Sequence, residues 1–292
     1  MNKQIETLNV AEWVASAPLQ QQAFREAVHI VLSAIGSSAP LRTQMVMKGG
    51  MLMAIRYNST RFTRDADFST TALYQQGNEK ELTEELEAQI QYFNQLLSYN
   101  THCTIQSSKI NPPGNNRTHP TLNLRIGYAA PSNPSAMRRL IAKQSPQIVE
   151  IDFSYNEAVL DIEMLRLSDL DELHVYSLVN LMAEKYRSLL QQPIRKRNRY
   201  QDVYDLYFLI ENAPLTGHGE HIDLLECIQT TCTTKGIEAT TNSLRDPAVQ
   251  NMAADGYRTL ANDIQDNLPE FDLAYSKVRE FYEKLPWQKS EN

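Results

Sequence analysis

Four short segments in which polar and apolar residues alternate set the strongest limit on the fold. Such alternation places every second side chain on the same face and is typical of a β-strand with one buried face. The predicted strands cover residues 65–69, 103–110, 122–128 and 148–155. Segments with helical periodicity lie between or before them, at residues 20–35 and 79–99. From about residue 156 onward the pattern is almost entirely helical, with predicted helices at 171–191, 199–212, 219–234, 255–267 and 271–284.

This distribution predicts an α+β protein with two domains. Residues 1–157 are expected to form a domain with a mixed sheet, and residues 158–292 a helical domain. The length of 292 residues fits this division, because single domains usually contain about 100–200 residues.

Composition and charge exclude several classes of protein. Hydrophobic residues make up 42% of the chain and charged residues 22%, which excludes extensive disorder. Apolar runs are too short to span a membrane, and the N-terminus lacks the pattern of a secretory signal. Three cysteines do not form a disulfide framework, so we expect a cytoplasmic protein. The net charge of −7 argues against a non-specific coat on nucleic acid but allows a local basic site.

Asp65 and Asp67 are the most informative pair of residues. They are two apart in a predicted strand, so their carboxylates project side by side, while Ala66 and Phe68 pack on the other face. Adjacent carboxylates repel each other unless a positive charge lies between them. Mg²⁺ prefers oxygen ligands and is usually bound together with substrate phosphates. The pair therefore predicts a magnesium site for a phosphate-bearing substrate.

A glycine pair precedes this strand. Lys48-Gly49-Gly50 predicts a turn, followed by a short helix over residues 51–57. Glycine lets a backbone approach a phosphate closely, and the N–H groups at the start of a helix bind anions. A Gly-Gly turn followed by an Asp-x-Asp strand is the layout of nucleotidyltransferases of the DNA polymerase β type. That resemblance implies a nucleotidyltransferase-fold N-terminal domain that transfers a nucleoside monophosphate from an NTP.

A third carboxylate is expected on a neighbouring strand. The segment at residues 149–153 offers Glu150 and Asp152, which are again two apart. Asp152 is the preferred third acid, and Glu150 is the alternative. Two Mg²⁺ ions held by such carboxylates can activate an attacking hydroxyl and stabilise a leaving pyrophosphate.

The order of these motifs resembles the AbiEii/AbiGii toxin family of nucleotidyltransferases. The family has Lys-Gly-Gly-Thr followed by Arg-x-Ser-x-Asp-hydrophobic-Asp-Phe. Lys48-Gly49-Gly50 matches the first motif except that Met51 replaces the Thr, and the segment at residues 61–68 matches the second with Thr63 at the Ser position. Its later signature, Glu-Lys…Arg-Asp-x-x-Asp-Leu, is matched by Glu184-Lys185 and by residues 202–206. Residues 151–157 are similar to the strand that carries the family's third acid. Gln201 replaces the usual Arg, and we expect Arg199 to substitute for it.

The resemblance implies roles for individual residues. Asp65, Asp67 and Asp152 would bind the metal and take part in catalysis. The residues that would contact the nucleotide are Lys48, Gly49, Gly50, Arg61, Thr63 and Lys185. Lys185 and Asp202 would also be catalytic, with Asp205 in a structural role, and the helical domain would complete the cleft.

The resemblance also implies a biological function. The chain would be the toxin of a toxin–antitoxin or phage-defence (abortive infection) pair, transferring a nucleotide from an NTP to RNA, with tRNA ends as the leading acceptor. It would require Mg²⁺, act as a monomer and have an antitoxin that need not bind tightly. The basic segment at residues 195–199 is predicted to contact phosphate, either in the NTP or in an RNA backbone. Two alternatives remain: transfer to a small molecule or a protein hydroxyl, and a non-catalytic protein that binds nucleotide or RNA.

Overall fold

The computed structural model describes residues 5–113, 118–168 and 171–287. The chain forms two compact units, which are described separately. The sheet unit comprises Met1–Arg56 and Thr63–Val175, and the helical unit comprises Tyr57–Phe62 and Tyr176–Asn292.

The sheet unit is built on a mixed sheet to which the described residues contribute eight strands. The strands are β1 (Glu6–Thr7), β2 (Val46–Lys48), β3 (Asp65–Ser69), β4 (His102–Asn111), β5 (Thr121–Ala129), β6 (Ile148–Ser154), β7 (Ile162–Arg166) and β8 (Glu172–Tyr176). Their order across the sheet is β1-β7-β8-β2-β3-β6-β5-β4. Strand β3 therefore lies inside the sheet, antiparallel to β2 and parallel to β6. This arrangement confirms the predicted α+β class.

Alternation in the central strands separates an apolar face from a polar face. In β3, Ala66 and Phe68 are buried, whereas Asp65 is exposed and Asp67 is half-buried. In β6, Ile151 and Phe153 are fully buried. Burial of the apolar face fixes the register, because a shift of one residue would move these side chains to the other face. The carboxylates are therefore held on the polar face by packing on the opposite side.

Helices of the sheet unit cover its apolar face and connect its strands. They are α1 (Val10–Ala15), α2 (Gln22–Ser37), α3 (Ala39–Gln44), α4 (Gly49–Arg56), α5 (Asn78–Leu96) and α6 (Pro134–Ile141). Helix α2 is almost wholly buried from Phe24 to Gly36 and packs against α5, β5 and β6. Short helices such as α1 and α3 were not predicted, since six residues are too few to show a helical period.

The helical unit contains α7 (Leu178–Arg195), α8 (Tyr200–Asn212), α9 (His218–Thr233), α10 (Pro247–Ala254) and α11 (Phe271–Glu283). Its core includes the fully buried rings of Tyr186, Tyr257, Tyr275 and Tyr282. The segment Tyr57–Phe62 joins this unit through a bridge between Arg61 and Ile264 and through the Phe62 N–H, which donates to Asp263. None of the described helices combines the length and the apolar composition that a membrane span requires.

The structure corrects the prediction that nearly everything after residue 156 is helical. Strands β7 and β8 lie in this region, and the sheet unit extends to Val175 rather than ending at residue 157. The predicted helix at residues 171–191 begins only at Leu178, where the Ser177 side chain accepts a hydrogen bond from the Asn180 N–H. In β8, pairing of Val175 with Met47 of β2 outweighs local helical periodicity. The helix predicted at residues 255–267 forms instead as a 3₁₀ helix, Tyr257–Asn262.

Candidate active site

Strand register places the predicted carboxylates side by side on the polar face of the sheet. Asp67 on β3 pairs with Asp152 on β6, and Asp65 pairs with Glu150 in the same parallel ladder. Neighbouring strands lie about 4.8 Å apart, and paired residues project to the same face. Asp152, which is distant in sequence, therefore lies beside the Asp65 and Asp67 pair.

The environments of Asp152 and Glu150 distinguish the two candidates for the third acid. The side chain of Asn123, opposite Asp152 on β5, donates a hydrogen bond to Asp152 Oδ1. Asn111 in turn donates to Asn123 Oδ1, so a chain of two amides orients the carboxylate. Glu150 instead lies 3.5 Å from the Arg125 guanidinium, and both side chains are about half exposed. Asp152 is thus held by an amide donor at one carboxylate oxygen, whereas Glu150 takes part in a half-exposed ion pair.

The glycine turn lies directly against one of these carboxylates. Gly49 has φ +73°, and a Cβ at this position would lie 2.2 Å from Asp67 Oδ2. Helix α4 begins at Gly49 and includes Gly50. Lys48, at the end of β2, is buried and pairs with Asp67 in the antiparallel ladder, so the two side chains leave the sheet on the same face. The glycine is thus required both for its backbone conformation and for the space that the carboxylate occupies.

The described carboxylates do not form a complete metal cage. Within residues 5–113, 118–168 and 171–287, no three acidic, His or Cys side chains are close enough together to hold a metal ion. A magnesium ion at a phosphate-transfer site usually has one or two carboxylate ligands and takes further ligands from water and substrate phosphates. The exposed Asp65 and the half-buried Asp67 and Asp152 supply oxygen donors of this kind. The residues present therefore fit a magnesium ion that binds together with its substrate.

A second cluster of predicted residues lies within the helical unit. Lys185 on α7 is buried, and its Nζ donates to Asp205 Oδ2 at 2.5 Å and to Asp202 Oδ1 at 3.3 Å. Arg61 binds the same Asp205 carboxylate through Nε at 2.8 Å and Nη2 at 2.9 Å. The Asp205 side chain is only 1% exposed. One buried carboxylate thus holds two cations that the sequence places 124 residues apart (185 − 61).

Opposing charges decide the ionisation of this cluster. Burial by itself would raise the pKa of Asp205, but Arg61 and Lys185 lower it to about 2. Burial would likewise lower the pKa of Lys185, whereas Asp205 and Asp202 raise it above its ordinary value. Asp205, Lys185 and Arg61 are therefore all charged at neutral pH.

The other predicted residues have distinct surroundings. Arg199 Nε lies 3.1 Å from Asp202 Oδ2, so Arg199 supplies a positive neighbour to Asp202 although Gln201 replaces the family's usual Arg. Thr63 lies just before β3 and is partly exposed. Arg61 is predicted to contact the nucleotide, and in the structure two of its N–H donors are directed at Asp205.

Sequence reasoning missed Asn111 and Asn123 and underestimated Asp205. Asn123 alternates with the buried Leu122 and Leu124, which indicates that it lies on the polar face. Nothing in the sequence indicates that it faces Asp152, since that depends on the antiparallel register of β5 and β6. Asp205 shares a helix face with Asp202, but only tertiary contacts show that it binds both Arg61 and Lys185.

Comparison with known proteins agrees with this geometry. Residues 30–283 match the family described as nucleotidyl transferase AbiEii toxin, type IV toxin–antitoxin system. The chain belongs to this family. It is therefore a nucleotidyltransferase of the AbiEii toxin–antitoxin family, as the order of its motifs predicts. No curated protein matches the chain at a significant level.

Two crystal structures from Helicobacter pylori have a similar fold. One, a candidate nucleotidyltransferase, shares 13% identity with a TM-score of 0.52, covering 91% of this chain and 94% of its own. The other, JHP933, shares 14% identity with a TM-score of 0.54, covering 92% and 94%. At this level of identity the likeness concerns the fold alone.

The glycine turn of this AbiEii member provides a direct test of the geometry around Asp67. We expect Gly49→Ala to reduce nucleotide transfer about a hundredfold, because the new Cβ would displace the Asp67 carboxylate by roughly an ångström. The positive φ adds a cost of about 1–2 kcal/mol to folding. The measurement is the initial rate of incorporation of labelled nucleotide, together with circular dichroism to confirm folding.

Gly219→Ala is the matched control for this substitution. Gly219 lies in α9, and a Cβ there would meet nothing within 4 Å. This variant is expected to transfer nucleotide at the parental rate. A folded Gly49→Ala protein as active as Gly219→Ala would show that the position of Asp67 does not matter for the reaction.

Proposed function

We propose that this chain transfers a nucleoside monophosphate from an NTP to a hydroxyl of RNA in a Mg²⁺-dependent reaction, with tRNA ends as the leading acceptor. Such a modification would block translation and give the protein its action as a toxin, with phage defence as the setting in which growth arrest is useful. The observation that carries the proposal is the adjacency of Asp65, Asp67 and Asp152 on one polar face, with Gly49 packed against Asp67.

The reaction exchanges one phosphorus–oxygen bond for another. The bond between the α-phosphorus and the bridging oxygen to the β-phosphate breaks, and a bond from the acceptor hydroxyl oxygen to the α-phosphorus forms. The hydroxyl proton is released, and pyrophosphate leaves. When bound, Mg²⁺ would neutralise the triphosphate and lower the energy of the charge that develops on it.

The chain's own residues would bind and orient the reactants. Asp65, Asp67 and Asp152 would hold the metal, and Gly49 and Gly50 would let the triphosphate approach the start of α4. Asn123 occupies Asp152 Oδ1, which leaves Oδ2 for the metal or for the proton of the acceptor hydroxyl.

In the helical unit we assign Lys185 and Asp202 to substrate binding. The Lys185 ammonium has three N–H donors, and its contacts with Asp202 and Asp205 use two of them. Asp205 holds Lys185 at the shorter distance and is the more deeply buried of the two acids, which suits a positioning residue. Asp202 is slightly more exposed and is shared between Lys185 and Arg199.

Incubation with labelled NTPs tests the proposal. The purified protein is given each α-labelled NTP with Mg²⁺, together with either total RNA or RNA-free lysate protein. We expect label in the RNA fraction, equimolar release of pyrophosphate, and loss of both when EDTA removes the metal.

The same assay separates the alternatives. Label in the protein fraction or in a small molecule would replace RNA as the acceptor while leaving nucleotide transfer intact. Absence of pyrophosphate release from every NTP, with and without each acceptor, would refute the catalytic proposal and favour a non-catalytic binding protein.

A further inference from the structure

A pocket rich in arginine lies within the helical unit, where α7 ends and α8 begins. Four of its lining residues carry guanidinium groups, namely Arg187, Arg195, Arg197 and Arg199. Its floor consists of the buried polar residues Ser188, Gln191 and Gln192. Arg195 and Arg197 are exposed and form the rim, whereas the Arg187 side chain is only 11% exposed.

Buried Gln192 fixes the shape of this pocket. Its Nε2 donates to the backbone oxygens of Leu189 and Val249. Its Oε1 accepts a hydrogen bond from the backbone N–H of Arg199 at 2.7 Å. Helix α7 ends at Arg195, and the next residue, Lys196, has φ +52° and donates its backbone N–H to the Gln192 carbonyl oxygen. The basic segment is thus attached to the helix at both ends, which pre-organises the guanidinium groups for a ligand.

Positive charge in the pocket exceeds the negative charge beside it. Arg187 Nη2 and Arg199 Nη2 converge on the neutral Ser188 Oγ, at 3.2 and 3.3 Å. The Arg187 guanidinium lies 3.5 Å from Glu184, and that of Arg199 lies 3.1 Å from Asp202, which Lys185 shares.

The two rim arginines add to this excess. Among the residues that the structure describes, Arg195 and Arg197 have no carboxylate within ion-pair distance. The pocket thus has two arginines with a carboxylate neighbour and two without one, and an anion bound there would reduce the repulsion among all four guanidinium groups.

The lining indicates which kind of anion fits. Guanidinium groups bind phosphate through paired N–H donors, and Ser and Gln add neutral donors. None of the seven lining residues, all of which the structure describes, is a carboxylate, a glycine or an aromatic residue. The pocket therefore offers no carboxylate for the magnesium of an NTP and no aromatic ring on which a base could stack. A phosphodiester backbone requires only positive charge and N–H or O–H donors.

We propose that this pocket binds phosphate groups in the backbone of the RNA acceptor. The inference rests on the proposed function in that it takes RNA as the acceptor, but it concerns a binding site separate from the metal-binding carboxylates. It also assigns the basic segment at residues 195–199 to RNA binding. The sequence alone predicts that this segment contacts phosphate, in either the NTP or an RNA backbone.

The test compares two double variants that each remove two positive charges. Arg195→Gln with Arg197→Gln alters the exposed rim, and Arg138→Gln with Arg139→Gln alters exposed residues on α6 of the sheet unit. The probes are a labelled single-stranded RNA oligonucleotide without NTP and a fluorescent ATP analogue without RNA. Affinity for each is measured by fluorescence anisotropy over a range of salt concentrations.

Loss of two phosphate contacts has a defined signature. On a single strand each contact contributes about 0.7 to the slope of log affinity against log salt, so the rim variant should reduce the magnitude of that slope by about 1.4. At about 0.1 M salt its RNA affinity should fall roughly 25-fold. The α6 variant should retain parental RNA affinity within about twofold, and both variants should bind the ATP analogue as the parent does.

Three outcomes would overturn the proposal. They are equal RNA affinity in the two variants, loss of ATP-analogue binding in the rim variant alone, and no RNA binding by the parent. If either of the first two results is found and the parent still transfers labelled nucleotide to RNA, the pocket assignment fails and the proposed function stands. If the rim variant loses RNA affinity but the parent transfers no nucleotide, the pocket assignment stands and the catalytic proposal fails.

Discussion

Asp67→Asn is expected to lower nucleotide transfer by about a thousandfold or more while leaving the fold intact. The substitution keeps the shape of the side chain but removes the charge that would hold the metal beside the triphosphate. Several kcal/mol of charge stabilisation depend on that interaction, and each 1.4 kcal/mol corresponds to a factor of ten in rate. Asp65→Asn should behave in the same way, and both should abolish growth inhibition in cells. The measurement is the rate of pyrophosphate release at saturating NTP and Mg²⁺.

Asp161→Asn is the matched control for these variants. It makes the same chemical change at an exposed position in the sheet unit and should retain parental activity.

Two further variants separate the candidates for the third acid. Asp152→Asn should lose activity to the same extent as Asp65→Asn and Asp67→Asn, and Glu150→Gln should retain most of its activity. An Asp65, Asp67 double variant as active and as toxic as the parent would eliminate the proposed chemistry.

Asp205→Asn is expected to destabilise the helical unit by about 3–5 kcal/mol. The buried Asp205 carboxylate is bound by both Arg61 and Lys185, so its removal leaves two cations in a desolvated site without their main counter-charge. The change is measured by urea denaturation in a Trp13→Phe background. Trp287, which packs against Tyr282, is then the single remaining tryptophan and reports on this unit.

The pH dependence of the same variant checks the cause. The folded-state pKa of Asp205 is about 2, below its ordinary value of 3.8, so its stabilisation is fully present above pH 4 and is lost as pH falls through 2. The difference in unfolding free energy between parent and Asp205→Asn should therefore shrink by about 2 kcal/mol between pH 4 and 2. Asp272→Asn, exposed on α11, is the control and should change stability by less than about 0.5 kcal/mol. Equal stability of the two variants at pH 7 would show that Asp205 does not hold the cluster together.

Much of the sheet unit could be predicted because its signals are local. The strand Asp65–Ser69 forms with the predicted bounds, and the strands around residues 103–110, 122–128 and 148–155 form within one or two residues of them. Alternation and helical periodicity depend only on neighbours in sequence, so a single sequence contains them. The edge strand β1 has only two residues, too few to show a pattern. Strands β7 and β8 are as long as β3, and they are stabilised by pairing with strands that are remote in sequence.

The contacts of the candidate site could not be predicted from local patterns, because they join residues that are remote in sequence. Asn123 and Asp205 have no distinguishing motif of their own, and each gains its role from a residue remote in sequence. The arginine pocket likewise requires the end of α7, the basic segment and the start of α8 to be brought together by Gln192.

The sequence by itself determined the types of residues available for chemistry and the face of each strand on which they lie. It also determined the order of motifs that places the chain among AbiEii nucleotidyltransferases. Only the tertiary structure decided that Asp152 rather than Glu150 is oriented beside Asp67, that Asp205 binds two cations, and that four arginines line one pocket. The physical reason is that periodicity and motif order are local properties of the chain. Strand register, shared counter-charges and burial depend on groups that meet only after folding.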